Sequence, residues 1–380
     1  MQTPGIGLVG YKFMGKAHSN AYRQVHAFFP DIPKPRMVAI SGRSEEAVSA
    51  AADQFGWAGY ETDYRTLLEN PEIDIIDVST PGHLHHQVVM EAFAAGKHVI
   101  CEKPLANALE DAAEMVRAWR AAGTIGMVNF NYRKVPAVML AKQLIDDGRI
   151  GEIRSFRARY LQDWLADANA PMSWRLEKEF AGSGALGDIG AHITDLAHML
   201  IGPIASVTGS LATAVTSRPL EHPTDGKTHG EVTVDDWTAF IAKFENGATG
   251  VFEASRLATG RKNQNSFEIN GSKGSIAFDL EDLNRLQVYL TEDDALTRGF
   301  HNVLVTDGSH PLVGNWWPTG HIIGWEHTHV HQVRDLILGV ISGEQPQPDF
   351  ADGYRCQAVL DAVERSAASG QWETPAALPD

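Results

Sequence analysis

The stretch that decides the fold runs from residue 6 to residue 15 and reads Ile6-Gly-Leu-Val-Gly-Tyr-Lys-Phe-Met-Gly15. It begins with a short apolar run that ends at Gly10. A second glycine, Gly15, opens a segment of helical character that extends to about Phe28. An apolar run, a glycine turn and a helix in this order predict a β-strand joined to an α-helix by a tight turn.

The same alternation of strand and helix continues to about residue 130. Further strands are predicted at 36–41, 73–79, 98–102 and 125–129, and helices at 45–54, 83–95 and 109–120. Ser44 is expected to cap the first of these helices. Strands that alternate with helices of this length predict βαβ units and a parallel sheet covered on both faces. Residues 1–130 are therefore interpreted as an α/β domain built on a parallel sheet.

The pattern changes after residue 130. A helix is predicted at 135–147, and longer strand-like runs follow at 237–244, 248–254, 266–270, 275–279 and 286–291. Asn246-Gly247 lies between two of these runs and predicts a type I′ hairpin turn, which needs positive φ angles. Residues 131–380 are therefore expected to form an α+β domain with a large, mostly antiparallel open sheet, in which 218–234 is an exposed loop.

Composition excludes several classes of protein. The 380 residues carry 32 Lys and Arg against 48 Asp and Glu, a net charge of −16. Binding to nucleic acid or to an anionic membrane needs clustered basic surface, so neither partner is expected. Two cysteines cannot form a disulfide framework, no secretory signal is visible, and no apolar run reaches the ~20 residues that span a bilayer. A cytoplasmic protein is expected.

The glycine turn has the form of a dinucleotide fingerprint with one change. G-x-G-x-x-G uses its glycines for the tight turn, for close approach to the pyrophosphate and for helix packing. In this chain the middle position is Lys12, whose ammonium could instead pair with a cofactor phosphate. Gly10, Lys12, Phe13 and Met14 are expected to contact the cofactor.

The end of the second strand predicts which dinucleotide is used. A carboxylate at this position binds the ribose 2′-hydroxyl of NAD, whereas an arginine accommodates the 2′-phosphate of NADP. The chain has Ser41-Gly-Arg43-Ser and no carboxylate until Glu45. Ser41 and Arg43 are therefore assigned to the cofactor site, and NADP is favoured over NAD.

Several motifs, in order along the chain, resemble the Gfo/Idh/MocA (glucose-fructose oxidoreductase, inositol dehydrogenase) family. They are Phe13-Met-Gly-Lys-Ala-His18, Ser79-Thr-Pro81 with His85, Ala95-Gly-Lys-His-Val-Ile-Cys-Glu-Lys-Pro104, Asn131-Tyr-Arg133 and Gly187-Asp-Ile-Gly-Ala-His192. The segments 160–164, 174–175 and 181–188 are similar to the branch that includes levoglucosan and scyllo-inositol dehydrogenases. The resemblance implies that 1–130 is a Rossmann dinucleotide-binding domain and that 131–380 binds the substrate and forms the contacts between subunits. It also implies reversible hydride transfer between a nicotinamide and a ring hydroxyl of a sugar, anhydrosugar or cyclitol.

The chemistry of alcohol oxidation agrees with three residues of these motifs. A positioned base must take the hydroxyl proton as the hydride leaves. Lys103 follows a parallel strand at its carboxyl end, where ligands of such sheets bind, and Pro104 biases it toward an extended conformation. Asp188 and His192 are spaced i, i+4 and would share one face of a helix. His192 is expected to take or relay the proton, Lys103 to stabilise the oxygen and Asp188 to orient the sugar; which of Lys103 and His192 is the formal base stays open.

The resemblance also implies further contacts with the ligands. Thr80, His85 and Lys103 are expected to meet the cofactor, and Glu102 to hold the nicotinamide ribose. Substrate contacts are expected from Tyr132, Arg133, Gln162, Trp174, Arg175 and His327. An assembly of two or four copies is expected.

Three alternatives remain. A metal-dependent sugar isomerase or epimerase is suggested by His192, Asp195 and His198 and by His327, His329 and His331. However, positions 192 and 198 would face different sides of a helix, so no metal site is expected. A non-catalytic nucleotide sensor on the same fold is disfavoured because Lys103, Asp188 and His192 are all present. A sugar–sugar oxidoreductase that recycles a tightly bound cofactor would use the same residues.

Overall fold

In the computed structural model, which describes residues 3–224 and 226–380, the chain divides into two compact units. The first comprises residues 3–134, 323–354 and 378–380, and the second comprises 135–322 and 355–377. The predicted division into 1–130 and 131–380 differs from this, because two C-terminal segments belong to the first unit. The cause is helix α9 (Glu326–Ser342), which packs against helix α1 (Phe13–Phe28).

A six-stranded parallel sheet forms the centre of the first unit. Its strands are β1 (Gly5–Val9), β2 (Arg36–Ser41), β3 (Gly59–Glu61), β4 (Ile75–Val78), β5 (His98–Cys101) and β6 (Gly126–Val128), in the order β3-β2-β1-β4-β5-β6. Strands β1 and β4 are buried throughout, as expected when helices cover both faces of a sheet. The order reverses between β1 and β4, and dinucleotides bind at this switch point, outside the carboxyl ends of the strands.

The helices of the first unit follow the sequence prediction closely. Besides α1 and α9 they are α2 (Glu45–Phe55), α3 (Arg65–Glu69), α4 (His85–Ala94) and α5 (Leu109–Ala122). The predicted cap of α2 is confirmed, since the Ser44 hydroxyl accepts a hydrogen bond from the amide of Ala47 at 3.4 Å. Strand β3 and helix α3 were not predicted, and both are too short to show a period.

The second unit is built on an eight-stranded sheet. Its strands are β7 (Ile153–Leu161), β8 (Ile204–Ala212), β11 (Trp237–Phe244), β12 (Thr249–Ser255), β13 (Gln264–Gly271), β14 (Gly274–Asp279), β15 (Arg285–Leu290) and β16 (His301–Leu304), in the order β16-β15-β14-β13-β7-β12-β11-β8. Only the pair β7 and β12 is parallel, so the predicted mostly antiparallel open sheet is confirmed.

Helices cover one face of this sheet. They are α6 (Pro136–Asp146), the short α7 (Lys178–Ala181), α8 (Ala191–Leu200) and α10 (Phe350–Ser369), whose residues fall in both units. Buried aromatic side chains such as Phe156 and Phe252 line the covered face, with ring centres 5.5 Å apart. None of the helices in 3–224 and 226–380 is long and apolar enough to cross a lipid bilayer.

The prediction that 218–234 is an exposed loop is wrong. Strands β9 (Ser217–Thr224) and β10 (Lys227–Glu231) form an antiparallel pair there. The side chain of Arg218 is fully buried and donates hydrogen bonds to the carbonyls of Leu165 and Asp167, each at 2.7 Å. Backbone carbonyls accept hydrogen bonds from both terminal nitrogens, whereas Nε has no partner within 3–224 and 226–380. A polar and aperiodic sequence does not reveal the burial of this side chain.

The hairpin turn between β11 and β12 lies where it was predicted but is not of type I′. Gly247 has a φ of +88°, whereas Asn246 is not among the residues with positive φ. Hydrogen bonds from Phe244 N to Ala248 O and from Gly247 N to Phe244 O, at 2.9 and 3.0 Å, close a three-residue turn. Such turns need positive φ only at their last residue, which explains why the glycine alone adopts it.

Candidate active site

The glycine turn between β1 and α1 leaves no room for side chains at two positions. Gly10 has a φ of +112°, and a Cβ there would lie 2.6 Å from the carbonyl oxygen of Ser79. A Cβ at Gly15 would lie 2.2 Å from the carbonyl oxygen of Gly10. Helix α1 has no acidic residue in its first turn. Its amide groups and its dipole therefore suit a phosphate group of a dinucleotide.

Lys12 adopts the turn without the usual middle glycine. Its φ of −77° is accessible to any L-amino acid, and the residue directly precedes α1. Its ammonium lies 5.5 Å from the ring centre of Tyr11. The next residue, Phe13, is 65 % exposed and stacks on Trp325 with ring centres 5.4 Å apart. A lysine at position 12 is therefore compatible with the turn, and its ammonium places a cation beside the turn.

The end of β2 lies next to the same turn. The amide of Gly10 donates to the carbonyl of Ser41 at 2.9 Å, and Ser41 is buried. The ring of Tyr11 covers Gly42, where a Cβ would come within 2.1 Å of it. Arg43 is exposed, and its guanidinium forms no ion pair or hydrogen bond within the described ranges. Arg43 is thus available to a phosphate group.

Lys103 lies at the carboxyl edge of the same sheet. Strand pairing continues just beyond β5, because Glu102 N donates to Val78 O at 2.9 Å and Asn129 N to Cys101 O at 2.8 Å. Lys103 follows these contacts directly, and its peptide bond to Pro104 is cis. The predicted position of Lys103 at the ligand-binding edge of a parallel sheet is therefore observed.

The carboxylate of Glu102 is turned into the protein. One oxygen, Oε1, lies 3.0 Å from Nε2 of His18 and accepts a hydrogen bond from the side-chain amide of Asn129. The other accepts from the backbone amide of Lys103 at 3.3 Å. Burial alone would raise the pKa of Glu102, but His18 and Asn129 outweigh it and lower the pKa to about 2. The Glu102 carboxylate, which was expected to hold the nicotinamide ribose, therefore contacts His18, Asn129 and the backbone of Lys103 within the first unit.

His18 lies between two carboxylates. Its Nδ1 is 2.8 Å from Asp77, and both residues are almost completely buried. Burial lowers the pKa of His18, but Asp77 and Glu102 together raise it from 6.5 to about 10. His18 is the last residue of the motif Phe13–His18, and the sequence alone assigns it no role.

Thr80 and His85 also lie at this edge. The ring nitrogens of His85 are each 3.0 Å from a carbonyl oxygen, Nε2 from that of Thr80 and Nδ1 from that of Pro104. Burial lowers the pKa of His85, which favours the neutral ring, and a neutral ring can donate to only one of the two carbonyls. His85 is thus surrounded by the loops that follow β4 and β5, whereas it was expected to meet the cofactor.

Three predicted substrate residues belong to the first unit. Tyr132 and Arg133 are both buried, and Arg133 forms an ion pair with Asp352 at 3.1 Å. His327 lies in the first turn of α9, where its Nδ1 accepts a hydrogen bond from Gly324 N at 3.0 Å. Burial lowers the pKa of His327, which favours its neutral form.

Asp188 and His192 lie in the second unit, in consecutive helical segments. Asp188 is in a π-helical turn (Leu186–Gly190) that leads directly into α8, where His192 is the second residue. The sequence predicted one regular helix, and π-turns of this kind are frequent at functional sites. The buried carboxylate of Asp235 anchors the turn by accepting hydrogen bonds from Gly184 N and Leu186 N at 2.7 and 2.8 Å.

Arg256 is a fully buried cation close to Asp188. Its Nη1 lies 3.8 Å from Oδ2 of Asp188, and its Nη2 donates to the carbonyl of Asp235 at 3.0 Å. Its guanidinium also lies 5.8 Å from the ring centre of Trp164. Arg256 was not predicted as a site residue, because a single arginine after a strand shows nothing of its burial.

A cluster of side chains that we term the amide cluster (Tyr160, Gln162 and Asn263) lies on the same unit. Asn263 Oδ1 accepts hydrogen bonds from the Tyr160 hydroxyl and from Gln162 Nε2, both at 2.7 Å. Gln162 Oε1 accepts from Trp164 Nε1 at 3.1 Å. The ring of Tyr160 lies 5.7 Å from that of His192, so the amide cluster adjoins the histidine. Grouped donors and acceptors of this kind suit the hydroxyls of a polyol.

Trp174 and Arg175 complete the predicted substrate residues. The Arg175 guanidinium lies 4.4 Å from the ring centre of Trp174, and both side chains are partly exposed. The Arg175 carbonyl accepts a hydrogen bond from Arg256 at 3.4 Å. Gln162, Trp174, Arg175, Asp188 and His192 are thus all in the unit that carries the amide cluster, and Asn263 is an addition that the sequence did not indicate.

The histidine-rich segments form no metal centre in the described part of the chain. No group of three or more His, Cys, Asp or Glu side chains that could hold a metal ion occurs in 3–224 and 226–380. The ring nitrogen Nδ1 of His331, for example, lies 2.8 Å from the carbonyl of Lys134.

Comparison with known sequences identifies both parts of the chain. Residues 5–130 match a family described as an oxidoreductase family with an NAD-binding Rossmann fold, and residues 138–277 match the GFO/IDH/MocA C-terminal domain. Levoglucosan dehydrogenase of Pseudarthrobacter phenanthrenivorans is 42 % identical over 98 % of both chains. The first match lies within the predicted domain 1–130, and the second covers part of the predicted domain 131–380.

Solved structures agree over almost the full length. An oxidoreductase domain protein from Kribbella flavida superposes with a TM-score of 0.96 at 51 % identity and covers 99 % of this chain and 100 % of its own. A levoglucosan dehydrogenase in complex with NADH and levoglucosan gives a TM-score of 0.96 at 42 % identity, with the same coverage. With its dinucleotide turn, its edge lysine and its Asp188 and His192 segment, the chain belongs to the Gfo/Idh/MocA family of oxidoreductases.

Proposed function

We propose that this oxidoreductase oxidises a ring hydroxyl of a sugar, an anhydrosugar or a cyclitol to the ketone, reversibly, and that Lys103, Asp188 and His192 perform the chemistry. The observation that carries the proposal is the grouping of Asp188 and His192 with the amide cluster, in a chain whose other unit has a dinucleotide turn. Levoglucosan is the first substrate to test, because a relative of 42 % identity is a levoglucosan dehydrogenase.

The proposed roles follow from the chemistry of each side chain. A nicotinamide dinucleotide supplies the hydride acceptor when it is bound. His192 would accept or relay the hydroxyl proton while the carbinol carbon loses its hydrogen as hydride to that acceptor. The Lys103 ammonium donates a hydrogen bond to the reacting oxygen and stabilises its negative charge. Asp188 accepts hydrogen bonds from the sugar and orients it.

The residues of the glycine turn fit the cofactor. We propose that the backbone around Gly10, Phe13 and Met14 approaches the pyrophosphate and that the Lys12 ammonium pairs with one of its oxygens. The hydroxyl of Thr80 is buried and has no hydrogen-bond partner within 3–224 and 226–380, so it is a further candidate for cofactor contact.

The choice between NAD and NADP is proposed to depend on Arg43. Its guanidinium has no competing partner in the described ranges, and β2 ends in the uncharged Ser41, which favours NADP. The relative of 42 % identity was solved with NADH, which shows that a similar fold accepts the other dinucleotide. Arg43→Ala should reduce kcat/KM for NADP about tenfold or more, as expected for a lost charged hydrogen bond, and leave that for NAD nearly unchanged. A strong NAD preference in the wild-type enzyme would contradict the NADP proposal.

The substrate is proposed to contact Gln162, Trp174 and Arg175 in addition to Asp188 and His192. Tyr132 and His327 are proposed as further contacts from the first unit. Arg133 was predicted to bind substrate, but its buried ion pair with Asp352 supports a role in holding the segment that carries Tyr132.

A cofactor-reduction screen tests the proposed function. Inositols, anhydrosugars including levoglucosan, and aldoses are each offered with NAD and with NADP, and formation of the reduced cofactor is followed by absorbance. We expect turnover with at least one anhydrosugar or cyclitol. Absence of turnover across the panel with an enzyme that binds the dinucleotide would contradict the proposal. Stoichiometric cofactor in the purified protein would favour the sugar–sugar oxidoreductase instead.

We propose a homodimer or homotetramer that uses the outer face of the eight-stranded sheet. This face exposes Ile241 and Val251, 43 and 49 % accessible, and a shallow cleft of about 730 Å³ whose lining includes Arg157, Glu253 and Glu268. The cleft is on the sheet and includes none of the proposed catalytic residues. Sedimentation velocity tests the proposal, and a monomer at micromolar concentration would contradict it.

We propose a cytoplasmic location because the two cysteines are not joined in a disulfide bond. Cys101 and Cys356 are both buried and neither forms a disulfide bond, as is common for proteins of a reducing compartment. Fractionation of the source cells tests this proposal.

A further inference from the structure

His18 occupies an unusual position in the first unit. It lies on α1 and is 1 % exposed, yet each of its ring nitrogens faces a carboxylate. Nδ1 is 2.9 and 2.8 Å from the two oxygens of Asp77, at the end of β4, and Nε2 is 3.0 Å from Glu102, just beyond β5. Three separate elements of the fold therefore meet at one imidazole ring.

The two carboxylates favour a charged ring, and the side-chain amide nitrogen of Asn129 is a further neighbour at 2.8 Å from Nε2. A neutral imidazole has one N–H group and one lone pair, and the lone pair would face a carboxylate oxygen at hydrogen-bonding distance. The imidazolium donates to both carboxylates, and charge-assisted hydrogen bonds of this kind are the stronger class. The pKa of about 10 that Asp77 and Glu102 produce against the effect of burial is consistent with this geometry.

The remaining groups around His18 are neutral. Tyr22 and Ser79 donate hydroxyl hydrogen bonds to Asp77 at 2.8 and 2.9 Å. The ring of His329 lies 5.3 Å from that of His18, and burial together with the charge of His18 lowers its pKa to about 3. Two carboxylates and one imidazolium leave one negative charge, and the next residue after Glu102 is the cation Lys103.

We propose that His18 is a positioning residue, which fixes the carboxylate of Glu102 and through it the backbone from which Lys103 extends. Glu102 connects the two directly, because its Oε1 bonds His18 and its Oε2 accepts from the amide of Lys103. The inference rests on the proposed function, in which Lys103 contacts the reacting oxygen. His18 itself touches neither substrate nor cofactor in this assignment.

The expected defect is in the chemical step. Without the imidazolium, two buried carboxylates lose their shared partner, and Glu102 is free to rotate or to take up a proton. Lys103 would then be misplaced, and small displacements of a catalytic group reduce the rate of the chemical step strongly. Because dinucleotide binding is proposed to depend on the glycine turn and on Arg43, we expect the affinity for the dinucleotide to change little.

Two variants and one control test the proposal on the full-length enzyme. His18→Gln removes the charge. His18→Gln with Asp77→Asn also removes one carboxylate, which restores the net charge of the cluster. His331→Gln is the matched control, because His331 is equally buried on α9 but has a pKa of about 4 and contacts a backbone carbonyl.

We expect His18→Gln to lower kcat about 100-fold, as for a misplaced catalytic group, with the dissociation constant for the dinucleotide nearly unchanged. The double variant should recover part of this loss, and His331→Gln should keep a kcat close to that of the wild type. A folded His18→Gln enzyme with near-normal kcat, or a kcat loss equal to that of His331→Gln, would overturn the proposal.

Nitrogen NMR of histidine-labelled protein tests the charge without substrate. We expect one histidine, absent in His18→Gln, to show two protonated ring nitrogens at pH 8. A neutral His18 ring would overturn the proposal. If the wild-type protein oxidises no polyol, the proposed function fails, while the NMR result still decides the state of His18.

Discussion

At the scale of single residues, Arg256 defines the electrostatics around Asp188. A fully buried guanidinium is costly unless its hydrogen bonds are satisfied, and here two carbonyls and a nearby carboxylate provide partners. The carboxylate 3.8 Å away is that of Asp188, which is proposed to orient the sugar. The guanidinium of Arg256 therefore stabilises the negative charge of the Asp188 carboxylate.

Substitution of Arg256 should affect substrate more than cofactor. Arg256→Met removes the cation beside Asp188, so we expect KM for the sugar to rise about tenfold, the effect of losing one charged interaction. Affinity for the dinucleotide should stay close to normal. Arg149→Met, at an exposed ion pair with Glu292, is the control. An unchanged KM in folded Arg256→Met would show that Arg256 is only structural.

The charge on His18 also predicts how stability depends on pH. Because the pKa of His18 rises from 6.5 to about 10 on folding, its contribution is complete below pH 6.5 and is lost as pH rises through 10. We expect the free energy of unfolding to fall across this range, by up to about 1.4 kcal/mol per pH unit for one proton. Urea midpoints measured from pH 6.5 to 10 should fall less steeply in His18→Gln; equal slopes would contradict the pairing.

At the scale of elements, the π-helical turn Leu186–Gly190 depends on the loop before it. Gly184 N bonds the carboxylate of Asp235, and a Cβ at Gly184 would lie 1.7 Å from the Asp235 carbonyl and 2.7 Å from Arg256 Nη2. A side chain at this position would force the turn, and Asp188 with it, away from its present place.

Gly184→Ala should therefore reduce both stability and activity. We expect a loss of about 1–3 kcal/mol in the free energy of unfolding, the usual cost of overpacking, with a lower kcat/KM for the sugar. Gly299→Ala is the control, since nothing lies within 4 Å of its Cβ position. Thermal unfolding and initial rates measure both effects, and wild-type values for Gly184→Ala would refute the assigned role.

Local signals in the sequence were sufficient for most elements. The five predicted strands of the first unit and the cap at Ser44 are observed because burial, period and capping are local properties. Strands β9 and β10 were not predicted because the sequence pattern does not show how their polar side chains are held. The buried side chain of Arg218, for example, donates hydrogen bonds to backbone carbonyls elsewhere in the chain. The ion pairs of His18 and the contacts of Arg256 could not be predicted, since they join residues far apart in the chain.

At the scale of the whole molecule, the net charge of −16 does not conflict with an anionic cofactor. Lys12 and Arg43 place cations at the glycine turn and at the end of β2, and Lys103 places a third at the edge of the sheet. Local positive charge, and not the overall sum, determines whether a phosphate can bind.

The division of the chain into two units also becomes visible only at the scale of the whole molecule. Sequence pattern predicted one boundary near residue 130, whereas the first unit also includes 323–354 and 378–380. Helix α9 contributes His329, which lies within 3.3 Å of Asn129, and Gln332, which donates to the carbonyl of Val128 at 3.0 Å. Such contacts span about 200 positions of the chain and leave no trace in a local pattern.

The assignment of sugar oxidation to Lys103 and His192 is tested most directly by the kcat of Lys103→Ala and His192→Ala with the best substrate of the screen. General acid–base groups typically contribute about 10²–10⁴-fold, so each variant should lose at least the lower of these factors. Its melting temperature and its affinity for the dinucleotide should remain near those of the wild type. A near-normal kcat in either folded variant would contradict the role of that residue, and normal rates in both would contradict the proposed mechanism.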